Sequence, residues 1–459
     1  MKDILVKDIL RECNGKLICG NENEICENFS KDTREIKTGD IYLGIKGERF
    51  NGSNFYKQAL DGGAKGCILQ DIEINEDDIK QYKGKFIIVV DNVVEAIQKL
   101  AKYKRSLYNI PVIGITGSVG KTSTKDLIAS VLSTEYNVLK TEGNYNNEIG
   151  LPLTILKLKD HNAMVLEMGM SAFGEISLLT NIAKPTTAVI TIIGSSHIGE
   201  LGSRENILKA KLEILEGLEP NGSLIINNDN DLLNMWNKDN EDKHKHITYA
   251  IENKSDLNAT NVEILENSST FEIELDERKY KIEVPVGGKH FVYNSLAAIA
   301  IGLEYNISIE NIIKGIKKFS LTKRRMEILK TKGNATIIND SYNASYESIK
   351  AALEYLQSTK ANRKIAVLGD VLELGDFSKQ MHENIGKEVI KNNIDILITV
   401  GKEAQNINNI VKDKNVEEYS FDTNEEAIKK LKEIIKSKDI ILVKASNGMH
   451  FEEIVDAIK

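Results

Sequence analysis

The stretch Val112-Ile-Gly-Ile-Thr-Gly-Ser-Val-Gly-Lys-Thr-Ser-Thr124 joins an apolar run to a glycine-rich turn that ends in Lys-Thr. An apolar strand that leads through such a turn into a helix predicts a loop whose backbone N–H groups surround a phosphate. Lys121 would reach the terminal phosphates of a nucleotide, and the Thr122 hydroxyl would be placed for Mg²⁺. Gly117 and Gly120 can adopt backbone angles that other residues avoid, which lets phosphate approach the main chain. The stretch therefore predicts an ATP-binding loop.

This loop is shorter than the general pattern G-x-x-x-x-G-K-[ST], because Ile115 stands where that pattern has glycine. What remains is T-G-x-x-G-K-T-[ST]. A tight strand-to-helix turn with an accidental lysine is the alternative. The apolar run before the loop and the amphipathic segment Lys125–Thr134 after it favour nucleotide binding. The candidate nucleotide-binding residues are Thr116, Gly117, Ser118, Val119, Gly120, Lys121, Thr122 and Ser123.

The composition is typical of a globular protein with more than one domain. At 459 residues the chain is too long for one ordinary domain, and 41% hydrophobic with 28% charged residues allow an ample core. A net charge of −8 gives no general attraction to nucleic acid or to anionic membranes. An anionic substrate therefore has to meet local lysines and arginines.

Cysteine usage and the N-terminus predict the compartment. The cysteines Cys13, Cys19, Cys26 and Cys67 show no C-x-x-C spacing, which favours reduced thiols over a disulfide framework or a zinc site. The N-terminus lacks the apolar core of a signal peptide, and no run is long enough to cross a bilayer. We expect a cytoplasmic protein.

Alternating strand and helix patterns predict an α/β protein of three domains. Residues 1–108 predict a small N-terminal α/β lobe, 109–320 a central, mostly parallel sheet of the phosphate-loop type, and 321–459 a C-terminal Rossmann-like lobe without a G-x-G-x-x-G motif. The near-continuous apolar runs of the central region suit strands buried on both faces. The predicted strands lie at 40–46, 66–70, 86–90, 163–168, 187–193, 223–227, 336–339, 364–368, 394–400 and 440–444, with an antiparallel extension at 261–275 and 279–286. The strand that leads into the phosphate loop is predicted to start at Pro111.

Polar side chains directly follow the predicted strands of the central sheet. Glu167 ends one buried strand, and His197 lies just beyond the next. An open α/β sheet places its active site at the carboxyl ends of its strands, where a carboxylate beside a phosphate loop is a natural Mg²⁺ ligand. A carboxylate that caps a turn and a structural loop histidine are the alternatives. Lys209 and Lys211 lie on the following helix, where lysines are usually solvated.

Further candidates open a later helix and follow strands of the C-terminal lobe. His290 and Asn294 share one helical face, where they would flank a base or ribose, and capping of the helix start is the alternative. The segments Asp340–Ala344 and Gly369–Gly375 each follow a strand, with His382 one helical segment later, and ordinary turn formation is the alternative. If both segments face the strand ends of the central domain, ATP binds in a cleft that closes between domains.

The order of these motifs resembles that of the Mur ligases. The resemblance rests on T-G-S-x-G-K-T-S, Gly143–Pro152, Glu167, His197, Ala210–Ile214, Gly288–Asn294, Tyr342–Ala344, Leu368–Asp370, Glu373–Gly375 and Leu442–Lys444. The N-terminal segments Asp32–Arg34, Gly39–Asp40 and Lys46–Arg49 are similar to the lobe of that family that binds a uridine nucleotide. The later motifs are most similar to the member that adds D-alanyl-D-alanine, and the resemblance spans all three domains.

This resemblance implies an ATP-dependent amide ligase of peptidoglycan synthesis. ATP would phosphorylate the carboxylate of UDP-N-acetylmuramoyl-tripeptide (UDP-MurNAc-tripeptide) to an acyl phosphate, which the amine of D-alanyl-D-alanine (D-Ala-D-Ala) then attacks. The tetrahedral intermediate would collapse to the amide, leaving ADP and phosphate. Phosphoryl transfer mainly needs positioning and charge neutralisation, which a lysine and two Mg²⁺ ions can supply. We expect a monomer with these small-molecule substrates.

Carried over by position, the resemblance implies a role for each site residue. The implied catalytic residues are Lys121, Glu167, His197 and Lys211, and the implied metal ligands are Thr122, Glu167, His197 and Lys211. Lys211 matches the lysine that the family carbamylates, a change that turns a cation into a metal-bridging anion. The implied nucleotide contacts beyond the loop are His290, Asn294, Arg325 and Asp340. The implied substrate contacts are Asp32, Thr33, Arg34, Lys46, Gly47, Asn144 and Asn147.

Some positions depart from the family pattern. Asn339 replaces the first of two acidic residues before Ser-Tyr-Asn, and Ser345-Tyr346 replaces Asn-Pro. Ala445-Ser446-Asn447 replaces Gly-Ser-Arg and loses a cation, and Ser53 stands where histidine is common. None of these changes touches the implied catalytic residues, but they put substrate contacts of the C-terminal lobe in question.

Two alternatives remain at this point. One is a related amide ligase such as a folylpolyglutamate or cyanophycin synthetase, against which the segment 32–49 argues. The other is an ATP-binding paralogue without catalytic activity, which Asn339 and Asn447 motivate. The third residue of the peptide substrate, lysine or diaminopimelate, is open.

Overall fold

Three α/β units follow one another along the chain. The structure, a computed structural model, describes residues 3–239 and 242–459. A five-stranded sheet, a seven-stranded sheet and a six-stranded sheet form the centres of the three units in the described part of the chain. The predicted α/β class with a parallel central sheet is confirmed.

The N-terminal unit is built on a sheet of order β2-β7-β6-β5-β4, in which β2 is antiparallel to β7 and the other neighbours are parallel. Strands β1 and β3 pair separately in antiparallel fashion. The strands are β1 Ile4–Leu5, β2 Lys16–Cys19, β3 Ile25–Cys26, β4 Phe29–Ser30, β5 Ile41–Leu43, β6 Gly66–Leu69 and β7 Phe86–Val89. The helices are α1 Val6–Cys13, α2 Tyr56–Asp61, α3 Glu76–Gln81 and α4 Val93–Ser106.

The central unit carries an all-parallel sheet of order β14-β13-β12-β11-β8-β10-β9. Its strands are β8 Val112–Thr116, β9 Val138–Lys140, β10 Ala163–Glu167, β11 Thr187–Ile190, β12 Ser223–Asn227, β13 Lys245–Ala250 and β14 Leu257–Asn258. Its helices are α5 Lys121–Leu132, α6 Gly150–Leu156, α7 Glu175–Ala183, α8 Ile198–Leu201, α9 Arg204–Leu212, α10 Asp231–Asp239, α11 Lys289–Glu304 and α12 Ile309–Lys317.

The order of the central sheet explains where its site lies. Strands β8, β10, β11 and β12 are buried along their whole length, because helices cover both faces of a parallel sheet. After β8 the chain goes first to one side of it and then to the other, so β8 is where the strand order reverses. Ligands of open α/β sheets bind at the carboxyl ends of strands at such a point.

An antiparallel sheet of order β15-β16-β17 follows the central sheet, as the alternating pattern predicts. Its strands are β15 Thr260–Ile264, β16 Ser269–Leu275 and β17 Arg278–Val284. The predicted strand 261–275 is divided by the turn between β15 and β16. Leu265 N donates a hydrogen bond to Ser268 O across this turn, over 2.9 Å.

The C-terminal unit has the sheet order β18-β19-β23-β20-β21-β22, parallel except that β18 is antiparallel to β19. Its strands are β18 Glu327–Lys330, β19 Thr336–Asn339, β20 Lys364–Gly369, β21 Ile396–Val400, β22 Glu417–Phe421 and β23 Ile440–Lys444. Its helices are α13 Tyr346–Ser358, α14 Ser378–Lys391, α15 Gln405–Val411, α16 Asn424–Ile434 and α17 Glu452–Ile458.

Each of these sheets lies within one of the predicted domains, whose boundaries at 108/109 and 320/321 stay predictions. The four cysteines are free thiols. Among residues 3–239 and 242–459, no helix has the length and apolar character needed to span a membrane.

Candidate active site

The phosphate loop connects β8 to α5 through two glycines with positive φ. Gly117 has φ +147°, and a Cβ there would collide with the Thr191 side chain, while Gly120 has φ +89° and precedes the first residue of α5. The Thr191 hydroxyl donates to Val119 O over 2.6 Å, which ties the loop to the end of β11. Lys121 Nζ donates to Gly117 O over 2.8 Å, so the lysine folds back over the loop. The shortened loop thus has the conformation that its glycines predict.

A carboxylate and a hydroxyl meet beside the loop. The Thr122 hydroxyl donates to Glu167 Oε2 over 2.9 Å, and Glu167 is 3% exposed at the carboxyl end of β10. Asn146 Nδ2 donates to the other oxygen, Oε1, over 2.9 Å. The loop and β10 are adjacent only through sheet pairing, since 45 residues separate Thr122 from Glu167. Sequence reasoning did not single out Asn146, although it lies within the quoted motif 143–152.

Lys211 is a buried lysine close to Lys121. It is 2% exposed on α9, and across the described residues no hydrogen bond or ion pair to its Nζ is observed. Burial, together with the charge of Lys121, lowers the pKa of Lys211 well below its usual value. Burial also lowers the pKa of Lys121, against the opposing effect of Glu167. Burial therefore disfavours two ammonium groups side by side here and favours the neutral amine at Lys211.

The segment that carries His197 is held by two glutamates of the C-terminal unit. Glu347 accepts hydrogen bonds from Ser195 N over 2.8 Å and from Ser195 Oγ over 3.1 Å. His197 has φ +63°, and its Nδ1 lies 2.7 Å from Glu373 Oε2, without the angle of a hydrogen bond. This approach of His197 holds the pKa of Glu373 below its usual value. Glu347 was missed by sequence reasoning, because it lies in the first turn of an ordinary helix.

Arg325 reaches the loop from the C-terminal unit. Its NH2 donates to the Thr122 hydroxyl over 2.9 Å, and its guanidinium carbon lies 4.3 Å from the centre of the Tyr342 ring. Asp340 is paired with the buried Lys444, whose Nζ lies 2.5 Å from Asp340 Oδ2. The central loop and the C-terminal lobe therefore face one another across this site.

The two residues predicted to flank the adenosine differ in their surroundings. Asn294 Oδ1 accepts a hydrogen bond from Thr124 Oγ1 over 3.1 Å, which joins α11 to α5 behind the loop. His290 faces Asp340 and Lys444, and burial lowers the pKa of His290 to about 4. His290 is therefore neutral at physiological pH. Neither side chain caps the start of α11, which Gly288 precedes.

Several buried polar atoms of this site have no partner. Four of the seven buried side-chain atoms without a hydrogen-bond partner in the described chain belong to predicted nucleotide or metal residues, namely Thr116 Oγ1, His197 Nδ1, His290 Nδ1 and Arg325 Nε. Buried polar groups of native proteins are nearly always satisfied, so their concentration here points to a polar ligand. No group of three or more His, Cys, Asp or Glu side chains is arranged to hold a metal ion in residues 3–239 and 242–459.

The predicted substrate contacts fall into two groups: those of the N-terminal unit, and Asn144 and Asn147 in the segment whose Asn146 donates to Glu167 beside the loop. Arg34 pairs with Asp32 over 2.5 Å and Lys46 with Asp71 over 2.8 Å, so the contacts of these side chains stay in the N-terminal unit as far as the structure describes it. Asn147 Oδ1 accepts from Gly150 N over 2.9 Å and supports the start of α6. Asn144, Thr33 and Gly47 are at least partly exposed.

The departures from the family pattern have local structural roles. Asn339 Nδ2 donates to Glu327 Oε2 over 3.0 Å. An acidic residue at position 339 would instead place two carboxylates side by side. Ser345 caps α13. Ser53 is fully buried between Gly44 O and Gln70 N. Nothing in the structure explains Asn447, which is exposed.

Two models of Mur ligase domains match this chain. The Mur ligase middle domain matches residues 115–302, and the Mur ligase, glutamate ligase domain matches residues 324–447. A UDP-N-acetylmuramoyl-tripeptide–D-alanyl-D-alanine ligase of Bacillus subtilis is 40% identical over 458 residues, which cover 98% of this chain and 97% of the relative. The chain belongs to the Mur ligase family.

Solved structures of Mur ligases agree with this assignment. A MurF from Acinetobacter baumannii superposes with a TM-score of 0.89 at 28% identity, covering 100% of this chain and 99% of the other. A MurF from Thermotoga maritima in complex with ADP gives a TM-score of 0.81 at 29% identity, covering 94% and 97%. The resemblance drawn from the motifs is confirmed over all three units.

Proposed function

We propose that this Mur ligase uses ATP to join D-Ala-D-Ala to UDP-MurNAc-tripeptide in peptidoglycan synthesis. The observation that carries the proposal is the full-length similarity to relatives named for this reaction. Because it includes the N-terminal unit, it favours a uridine-nucleotide substrate over those of folylpolyglutamate or cyanophycin synthetases. The exposed Arg34 and Lys46, with Thr33 and Gly47, would bind the uridine nucleotide, and Asp32 would orient Arg34 through their ion pair.

The site residues suit phosphoryl transfer followed by amide formation. A carboxylate oxygen of the tripeptide attacks the γ-phosphorus, the bond to ADP breaks, and an acyl phosphate forms. The D-Ala-D-Ala amine then attacks the acyl carbon, phosphate leaves, and the amine loses a proton. Lys121 of the loop and Arg325 of the C-terminal unit, which donates to the neighbouring Thr122 hydroxyl, would neutralise the transferred phosphoryl group. Asn144 and Asn147 would contact the peptide.

The oxygen ligands beside the loop fit Mg²⁺. Mg²⁺ prefers oxygen ligands. The Thr122 hydroxyl and the Glu167 carboxylate supply such oxygens 2.9 Å apart, and they would hold one ion. His197, whose Nδ1 makes no hydrogen bond of regular geometry although Glu373 Oε2 lies 2.7 Å away, would hold a second ion together with Lys211 as its carbamate. When bound, such ions supply charge neutralisation for the phosphates.

Lys211 is suited to carbamylation because its environment favours the neutral amine. A neutral amine attacks CO₂, an N–C bond forms, and one proton is released. The resulting anion would face the Lys121 ammonium group in place of a neutral amine. Mass spectrometry of protein prepared in bicarbonate would detect the carbamate. Activity independent of CO₂ would contradict this role.

The adenosine would lie against α11 at His290 and Asn294, and Asp340 would reach the nucleotide from the C-terminal lobe. We propose that three domains, 1–108, 109–320 and 321–459, close on ATP. We propose a cytoplasmic monomer.

The experiment is a substrate panel with purified protein. Phosphate release should require UDP-MurNAc-tripeptide, D-Ala-D-Ala, ATP and Mg²⁺ together, and parallel assays with lysine or diaminopimelate at position three would define the peptide. Phosphate release that is indifferent to D-Ala-D-Ala would contradict the proposal. ATP binding without ligation would favour the paralogue without catalytic activity that Asn339 and Asn447 motivated.

A further inference from the structure

A cavity of about 560 Å³ lies at the end of the C-terminal sheet where strands β19, β20 and β23 begin, which is the end opposite the active site. It is lined by Glu266, Lys330, Asn334, Thr336, Thr359, Lys360, Ala361, Asn362, Lys364, Lys438 and Ile440. Thr336, Lys364 and Ile440 are the first residues of β19, β20 and β23, whose opposite ends carry Asn339, Asp370 and Lys444 near the active site. The cavity is thus separated from the phosphate loop by the length of these strands.

The charge of the cavity is strongly one-sided. Four lysines and one glutamate line it, and in the described part of the chain none of these lysines has a carboxylate within ion-pair distance. Lys330 Nζ donates to Thr336 Oγ1 and Lys364 Nζ to Gln357 O, each over 2.6 Å, so both ammonium groups are held by neutral oxygens. The cavity is therefore locally positive although the net charge of the chain is −8.

The neutral lining also suits an anion of several oxygens. The Thr336 hydroxyl and the amides of Asn334 and Asn362 lie beside the lysines, whereas the Thr359 hydroxyl already donates to Leu356 O over 2.6 Å. The Thr336 hydroxyl and the two amides can donate hydrogen bonds to phosphate oxygens, and lysines bind phosphate as point charges. The volume lies in the range of small-molecule sites and is ample for two phosphate groups.

The cavity lies between two structural units. Glu266 belongs to the turn between β15 and β16, and its carbonyl oxygen accepts a hydrogen bond from Tyr355 OH of α13. The remaining lining residues belong to the C-terminal unit. A ligand here therefore contacts both units at a boundary opposite the catalytic cleft.

We propose that this cavity binds a diphosphate group, free or carried by a nucleotide, at a site distinct from the phosphate loop. The four lysines supply the charge, and the hydroxyl and amide groups supply neutral donors. The proposal does not depend on the ligase reaction.

Calorimetry with inorganic diphosphate tests the site in protein saturated with ADP, which occupies the phosphate loop. We expect one equivalent to bind. The variant Lys360→Gln/Lys364→Gln/Lys438→Gln should bind at least about tenfold more weakly, because it loses charge-assisted hydrogen bonds. The control variant Lys402→Gln/Lys412→Gln/Lys414→Gln removes three exposed lysines elsewhere and should bind as the wild type does. No binding, or equal weakening in both variants, overturns the proposal.

Titrations with other ligands and a lysine acetylation measurement complete the test. Inorganic phosphate should bind at least about tenfold more weakly than diphosphate, and equal affinity would overturn the assignment. Because the N-terminal unit is proposed to bind uridine nucleotides, only UDP binding that the variant Lys360→Gln/Lys364→Gln/Lys438→Gln weakens is counted for this cavity. Such binding tighter than that of diphosphate would assign the site to a nucleotide, and equal binding would assign it to the diphosphate group alone. Acetylation of Lys360 and Lys438 in the wild type should slow when diphosphate is added, which tests the site without any variant. Unchanged acetylation would contradict it.

Discussion

The contact between Glu347 and Ser195 should be needed for ligation although it lies outside the phosphate loop. The Glu347 carboxylate accepts two hydrogen bonds from Ser195, and Gly194 has no Cβ that would block this approach. The contact holds the segment of His197 against the C-terminal unit. Loss of this contact should therefore weaken the attachment of the His197 segment to the C-terminal unit.

Glu347→Gln keeps the shape of the side chain but removes its charge: the amide oxygen can still accept from Ser195 N, and the NH₂ group can donate to the Ser195 hydroxyl. Hydrogen bonds to a charged group contribute about 1.5–3 kcal/mol each, and those between neutral groups about 0.5–1.5 kcal/mol. We expect a net loss of about 2 kcal/mol, which corresponds to roughly a 30-fold fall in kcat/KM for ligation.

The assay measures phosphate release against D-Ala-D-Ala concentration, with ADP affinity and the unfolding midpoint in parallel. ADP affinity should stay within about twofold and the midpoint within about 2 °C, since the loop and the core are untouched. Glu354→Gln is the matched control, because Glu354 lies on the same helix and is partly exposed. A Glu347→Gln variant that ligates as well as Glu354→Gln would refute the reasoning.

Three other predictions concern single residues. Lys211→Ala should abolish ligation, with a loss of at least about 100-fold, while calorimetry shows ADP binding retained; lost ADP binding would contradict its assignment to the metal site. Gly117→Ala should weaken ADP binding by at least about tenfold. Alanine does not readily adopt the positive φ of residue 117, so the loop and its phosphate-binding N–H groups must move. Unchanged ADP affinity would contradict this prediction. His290 faces Asp340 and Lys444 and has a pKa lowered from 6.5 to about 4, so its contribution to the free energy of unfolding is complete above pH 6.5 and is lost as pH falls towards 4. Denaturant titrations should show a flatter pH dependence in His290→Gln, and an unchanged slope would contradict this.

The sequence by itself determined the features that depend on neighbouring residues. The phosphate loop needs only the order of an apolar strand, two glycines and Lys121-Thr122, all within a dozen residues, and its predicted conformation is present. The parallel central sheet was predictable because strands buried on both faces leave apolar runs, such as Ala163–Glu167.

Tertiary structure alone decided which side chains meet. Glu347 contacts Ser195 across 152 residues, and no local pattern marks a glutamate at a helix start as a contact of another domain. Lys211 has the sequence environment of a solvated helix lysine, yet packing buries it beside Lys121 and favours its neutral form. Asn294, predicted to contact adenosine, bonds Thr124 behind the loop. The physical reason is that burial and long-range pairing depend on how helices and sheets pack, whereas loop conformation depends on local backbone angles.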